Sequence, residues 1–145
     1  MVPPLKPSPS SKSSPQLQPT FLQLEEVLVI HTTMIRVGGG KPGLRDALLL
    51  HAAVERPKAT FNGVYLYTSL EQMAGALFQS LLKSHVFLDG NKRTAFFCML
   101  RFLQQNGVEI QVSNQEVIEF VIEAETSSFS TQQISDWLKQ HRAPA

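Results

Sequence analysis

Between Lys92 and Gln105 the chain carries Ala95, Phe96, Phe97, Cys98, Met99, Leu100, Phe102 and Leu103, apolar residues on nearly every side of a helix over its first turns. A helix that is apolar all round has no face to offer water, so it must sit inside the molecule. That requirement constrains the whole fold. The remaining chain has to supply amphipathic elements that wrap a central helix. With 145 residues it suits one domain and is long enough to bury such a core.

The wrapping elements follow from apolar spacing and punctuation. Leu24, Val27, Leu28, Ile30, His31, Met34, Ile35 and Val37 recur at helical spacing, and Gly38-Gly39-Gly40 stops that helix. His31 lies on its apolar side and reads as a hydrogen-bonded core histidine. Asp46 is placed to cap a second helix whose expected apolar face is Leu48, Leu49, Ala52, Ala53 and Val54. Arg56-Pro57 ends it, since proline disfavours the helical conformation before it. Phe61, Asn62, Gly63 and Tyr65 carry the Asn-Gly signal of a hairpin, either a two-stranded flap or a connecting loop. Overlapping capping boxes, Thr68 with Glu71 or Ser69 with Gln72, then open a helix with Leu70, Met73, Ala74, Leu77, Phe78, Leu81 and Leu82 inward. Ala74, Gly75 and Ala76 would let another helix approach it closely.

After the central helix, Val108 to Gln111 alternates as a short extended segment. Ser113 and Glu116 form a capping box before Val117, Ile118, Phe120, Val121 and Ile122. Thr131 to His141, anchored by Trp137, makes the last helix. The expected architecture is all-α: a compact bundle of about six helices around a buried central helix, with a short β-hairpin or flap before the motif-bearing pair. The domain is expected over residues 21–142. Residues 1–20 are rich in Pro and Ser and are expected to form a disordered extension.

The chemistry gathers just before the central helix, in His85-Val86-Phe87-Leu88-Asp89-Gly90-Asn91-Lys92-Arg93. The stretch reads as a tight loop feeding a helix start, where free N–H groups and a partial positive charge favour anions. Lys92 and Arg93 add full charges there. Asp89 offers a carboxylate to a divalent metal that bridges phosphate oxygens. Gly90 permits close backbone approach. His85 is placed as a general base toward a hydroxyl. Phe87 reads as an apolar anchor that holds the loop. Singly, each has a bland reading: a turn, a cap, a structural histidine. A structural loop needs one cap, however, not a base, a carboxylate and two cations together.

The same residues resemble the central motif of the Fic/Doc family in its death-on-curing form. Gly43-Leu44-Arg45-Asp46, Arg56-Pro57 and Phe61-Asn62-Gly63 with Tyr65 look like its upstream landmarks, and about Leu24 to Ile110 fits the pattern. The resemblance implies His85 as catalytic base, Asp89 as the ligand of Mg²⁺, and Gly90, Asn91, Lys92 and Arg93 as holders of the phosphates of ATP. It implies a target-binding flap at Phe61, Asn62, Gly63 and Tyr65. It also implies transfer of the terminal phosphate of ATP to a protein hydroxyl, with elongation factor Tu as the expected target, in the cytoplasm. A separate Phd-like antitoxin is the expected partner, because the chain lacks the family's inhibitory motif. The alternatives within the resemblance are AMP transfer and a silent module that keeps the fold. Lys92 replaces the second glycine of the AMP-transferring motif, Phe96 replaces its later arginine, and Phe97 stands where the death-on-curing form has a polar residue.

Composition excludes other classes. A net charge of +1 gives no global electrostatic reason to expect nucleic acid or a membrane surface as partner. The longest apolar runs fall far short of the roughly 20 residues of a membrane span. One cysteine, Cys98, forms no internal disulfide, which suits a reducing compartment.

Overall fold

A computed structural model describes residues 17–144. Among them the elements run α1 (Leu24–Gly38), α2 (Ala47–Glu55), β1 (Thr60–Phe61), β2 (Val64–Tyr65), α3 (Leu70–Ser84), α4 (Asn91–Gln105), α5 (Asn114–Ser127) and α6 (Thr131–Gln140). The chain is thus the expected helical bundle of six helices with one hairpin. A 3₁₀ turn at Arg56–Lys58 closes α2.

The helix starts show how locally the sequence writes this order. Asp46, Ser69, Ser113 and Ser130 each accept a hydrogen bond from the backbone N–H three residues on, satisfying a donor that the helix itself leaves free. Ser113–Glu116 closes as the expected box. At α3 neither expected box closes: Gln72 Oε1 accepts from the Thr68 N–H and hydroxyl at 2.8 and 3.0 Å, not from Ser69.

α4 is the buried central helix, and α3 packs beside it at the centre. α4 buries Phe96, Cys98, Met99, Phe102 and Leu103, and α3 buries an unbroken run from Met73 to Phe78. α6 crosses α3 at Gly75, where an added Cβ would lie 3.2 Å from the Thr131 carbonyl oxygen and the Ile134 Cβ. The small-residue run therefore does what its composition suggests. Trp137 ties α6 to α5, with its ring centroid 4.1 Å from that of Phe120. The extended stretch expected at 108–111 bonds to the end of α6, where the Gln111 N–H donates to the His141 carbonyl at 2.8 Å.

One apolar face is corrected. In α2 it is Leu50, Ala53 and Val54 that are buried, whereas Leu48 is 84% exposed. A run of three leucines covers more than one side of a helix, so periodicity does not choose among them.

The hairpin pairs Thr60 with Tyr65 and Phe61 with Val64, antiparallel. Asn62 and Gly63 turn it with φ of 53° and 77°, the positive values that an Asn-Gly turn accommodates. The expectation of disorder over 1–20 falls largely outside the described residues. Of its end, Leu17 packs against the core and the Thr20 N–H donates to Asn106 Oδ1 at 2.8 Å. Among the described residues no helix is long and apolar enough to cross a membrane.

Candidate active site at the start of helix α4

The loop between α3 and α4 is pinned at each end by parts of the chain far away in sequence. α3 stops at His85, which adopts a left-handed conformation (φ 48°). Arg45 donates from Nε to the His85 carbonyl at 2.6 Å and from Nη2 to the Ser84 carbonyl at 2.8 Å. These oxygens are at the C-terminal end of α3, where helices leave acceptors unpaired and favour cations. Backbone bonds complete the grip: the Arg45 and Asp46 N–H groups donate to the Val86 carbonyl, and the Leu88 N–H donates to the Gly43 carbonyl. Arg45 and Asp46 therefore do not pair with each other. Asp46 caps α2 and Arg45 holds the loop.

Inside the loop, Phe87 is buried as expected and its ring stacks on His31, with centroids 3.7 Å apart and planes 5° from parallel. His31 Nε2 lies 2.8 Å from the Asp89 carbonyl oxygen. His31 is thus a core histidine that fixes the loop from below. Asn91 spans the loop with both ends of its amide: Oδ1 accepts from the Phe87 N–H at 3.0 Å and Nδ2 donates to the Phe87 carbonyl at 2.9 Å.

Asp89 is exposed at the surface of the loop. Its carboxylate accepts from the Gly90 N–H at 2.9 Å and the Lys41 N–H at 3.2 Å. These two donors, Lys41 foremost, hold its carboxyl below the usual carboxylate range. Gly40 makes this approach possible, since a Cβ there would meet Asp89 Oδ2 at 2.8 Å. The carboxylate keeps further lone pairs free. Among the described residues no three His, Cys, Asp or Glu side chains gather into a metal cluster. That donor set fits a hard cation that takes one carboxylate and completes its shell with waters and phosphate oxygens, as Mg²⁺ does.

α4 opens on Gly90 (φ 77°), and no side chain caps it. Its first N–H groups are therefore available to an anion. The two cations behave differently from each other. Lys92 lies on the exposed side and pairs with Glu125 of α5 at 3.2 Å. Arg93 reaches back to α1, donating to the Met34 and Gly39 carbonyls at 2.9 Å each. It is a brace between α4 and the end of α1, and its charge faces Asp89 from there. His85 is exposed, and among the described residues its ring has no hydrogen-bond partner. Thr94 is buried, with its hydroxyl unpartnered. Cys98 is buried among apolar groups that push its thiol up, so it is no nucleophile.

His85, Asp89, Gly90, Asn91, Lys92 and Arg93 all line one cleft of about 490 Å³, within the roughly 300–1,000 Å³ range of small-molecule sites. Its opposite wall is Val117, Ile118, Val121 and Ile122 of α5, with Phe97 from α4. Sequence reading missed that wall, taking these residues simply as the apolar side of a helix. The hairpin residues Phe61, Asn62, Gly63 and Tyr65 do not line it. Phe61 is 69% exposed, and Tyr65 rests edge-on against Phe21, with centroids 5.9 Å apart.

Known proteins resemble this chain over the same region. Toxin Doc of Mycolicibacterium smegmatis is 44% identical over 90 residues, which cover 62% of this chain and 67% of that protein. Protein kinase doc of Escherichia phage P1 is 29% identical over 116 residues, which cover 80% of this chain and 90% of that protein. The Fic/DOC family matches residues 21–103, from the approach to α1 through the central helix. That span carries the pinned loop, the uncapped helix start and the hairpin, and the chain belongs to the Fic/DOC family.

Proposed function

We propose that this protein transfers the terminal phosphate of ATP to a hydroxyl of a protein target, as the toxin of a toxin–antitoxin pair. One observation carries the reading: an exposed His85, an ionised Asp89 and the uncapped N-terminus of α4 share a single cleft. The relatives named as a toxin and a protein kinase support it. So does Lys92, which places an ammonium where an AMP-transferring motif has glycine. Elongation factor Tu in the cytoplasm is the proposed target.

His85 would take the proton of the target hydroxyl as its oxygen bonds to the terminal phosphorus. The bond from that phosphorus to the bridging oxygen then breaks, and ADP leaves. The N–H groups at the start of α4 would hold the phosphate oxygens. Arg93 would add its field from behind, and Lys92 from the cleft rim. Asn91 would keep the loop in one shape by clamping Phe87. Asp89 would hold Mg²⁺, which neutralises phosphate charge when bound. Phe61 to Tyr65 would align the target segment by strand addition at the exposed hairpin.

The antitoxin would occupy a second groove of about 640 Å³ between α1 and α4. Its floor is Val29, Ile30, Met34, Leu100 and Ile110, and its charged lining is Glu25, Glu26 and Glu109 with one cation, Arg101. That suits an amphipathic helix with basic flanks. Phe97 lines both this groove and the cleft, so an occupant of the groove would touch the wall of the catalytic site.

The test uses purified protein, Mg²⁺, elongation factor Tu and ATP labelled on either the α- or the γ-phosphate, with His85→Ala as control. Label from the γ position alone, absent in the variant, is the expected result. Label from the α position would mean AMP transfer and overturn the reading.

A further inference from the structure

We infer that the cleft does not read the base of its nucleotide: the base lies on the aliphatic wall of α5, and purine and pyrimidine triphosphates bind alike. The inference rests on the phosphate-site reading above and concerns the part of the nucleotide that reading leaves open. Val117 and Val121 form one i, i+4 row along α5, and Ile118 and Ile122 form the next. Ile118 is 52% and Ile122 57% exposed on the cleft side of α5. Together they make an open, apolar shelf about 7.5 Å long at 1.5 Å per residue, facing the helix start proposed to take the phosphates. Phe97, 41% exposed, adds an aromatic face beside them.

Base discrimination needs hydrogen-bond donors or acceptors set against the base edge. This wall has none, since Val, Ile and Phe carry no polar side-chain atom. The polar side chains of the cleft are committed elsewhere. The Asn91 amide is bonded at both ends to Phe87, Arg93 to the Met34 and Gly39 carbonyls, and Lys92 to Glu125 beside the helix start that takes the phosphates. Asp89 faces backbone N–H groups, and His85 stands at the target end. A site built to hydrogen-bond its substrate rejects an analogue by about 10⁴-fold, whereas an apolar wall cannot. The wall therefore contributes affinity through area, and the phosphates contribute specificity.

The experiment is calorimetric binding to the full-length protein in Mg²⁺, using the β,γ-imido analogues of ATP, GTP and UTP and inorganic tripolyphosphate. The expected result is three nucleotide affinities within about tenfold of one another. The double variant Ile118→Ala/Ile122→Ala should weaken all three by a similar factor and leave tripolyphosphate unchanged. A preference above tenfold for one base overturns the inference, as does a variant that binds nucleotides normally or loses tripolyphosphate in equal measure. If neither nucleotides nor tripolyphosphate bind, the phosphate-site reading itself falls, and this inference with it.

Discussion

The loop at 85–91 and the hairpin at 60–65 are both short, exposed segments, yet they are built in opposite ways. The loop is held by Arg45 at its start, by Asn91 across its middle, by His31 beneath and by Lys41 at its carboxylate. The hairpin has two residue pairs, one further bond from the Leu66 N–H to the Ala59 carbonyl, and exposed apolar groups at Phe61, Val64 and Leu66. The proposed chemistry, which depends on sub-ångström placement, falls on the braced segment. The segment with free edges and unburied side chains is the one suited to accept a partner of its own choosing.

The contrast breaks most severely at Asn91. Asn91→Ala removes two bonds that close the loop, and its expected cost is about 2 kcal/mol in denaturant unfolding. Transfer should fall at least ~100-fold, the usual result of misplacing reacting groups by about an ångström. Survival of full activity would mean the remaining braces and the packing of Phe87 hold the loop without the Asn91 amide. Arg45→Ala comes next. Its guanidinium is exposed, so the stability loss should be about 1 kcal/mol or less. Transfer should still drop roughly tenfold as the His85 backbone relaxes, although Arg45 touches no substrate.

Phe61→Ala sharpens the comparison from the other side. Unfolding should shift by no more than ~0.5 kcal/mol, as for an ordinary surface site, with nucleotide binding intact and a severalfold higher KM for the protein target. A change in nucleotide affinity instead would make the hairpin part of the cleft.

The smallest effect is at acid pH. The Asp89 carboxyl titrates below its unfolded value of about 3.9, because the Lys41 and Gly90 N–H groups favour its charged form. Its contribution to stability is therefore full above the unfolded value and is lost as pH falls through the folded one. Melting of the wild type and Asp89→Asn should differ by a constant amount above about pH 5, a difference that shrinks below about pH 4. An unchanged difference down to pH 3 would mean the carboxylate gains nothing from those bonds.

What the sequence shows of this molecule is what is encoded locally. Ser113–Glu116, the Asn62-Gly63 turn and the stop at Gly38-Gly39-Gly40 are each written within a few residues, and each is where the spacing puts it. Phe87 was legible as an anchor because an aromatic residue between a polar base and a polar loop has few other uses. The partners of Arg45 and Arg93 were not legible. Both find backbone carbonyls, which carry no signature in a sequence. The face of α2 was misread because three consecutive leucines satisfy several registers. The α5 wall was hidden for the same reason: the run Val117, Ile118, Phe120, Val121 and Ile122 covers several sides of a helix, and of these five only Phe120 is fully buried.

The braces on the loop also set the order in which this protein can come into being. Arg93 closes on carbonyls made 59 and 54 positions earlier, and Arg45 waits 39 to 40 positions for the end of α3. The cleft gains its second wall only with residues 117–122, which also bring Phe96 its neighbour Phe120, and Trp137 joins Phe96 later still. A chain emerging from the ribosome at Gln105 already holds the whole motif but has neither that wall nor those neighbours. Synthesis proceeds from the N-terminus, and domains fold as units. The cleft is in this way completed only well after its motif has been made, by the architecture of its walls.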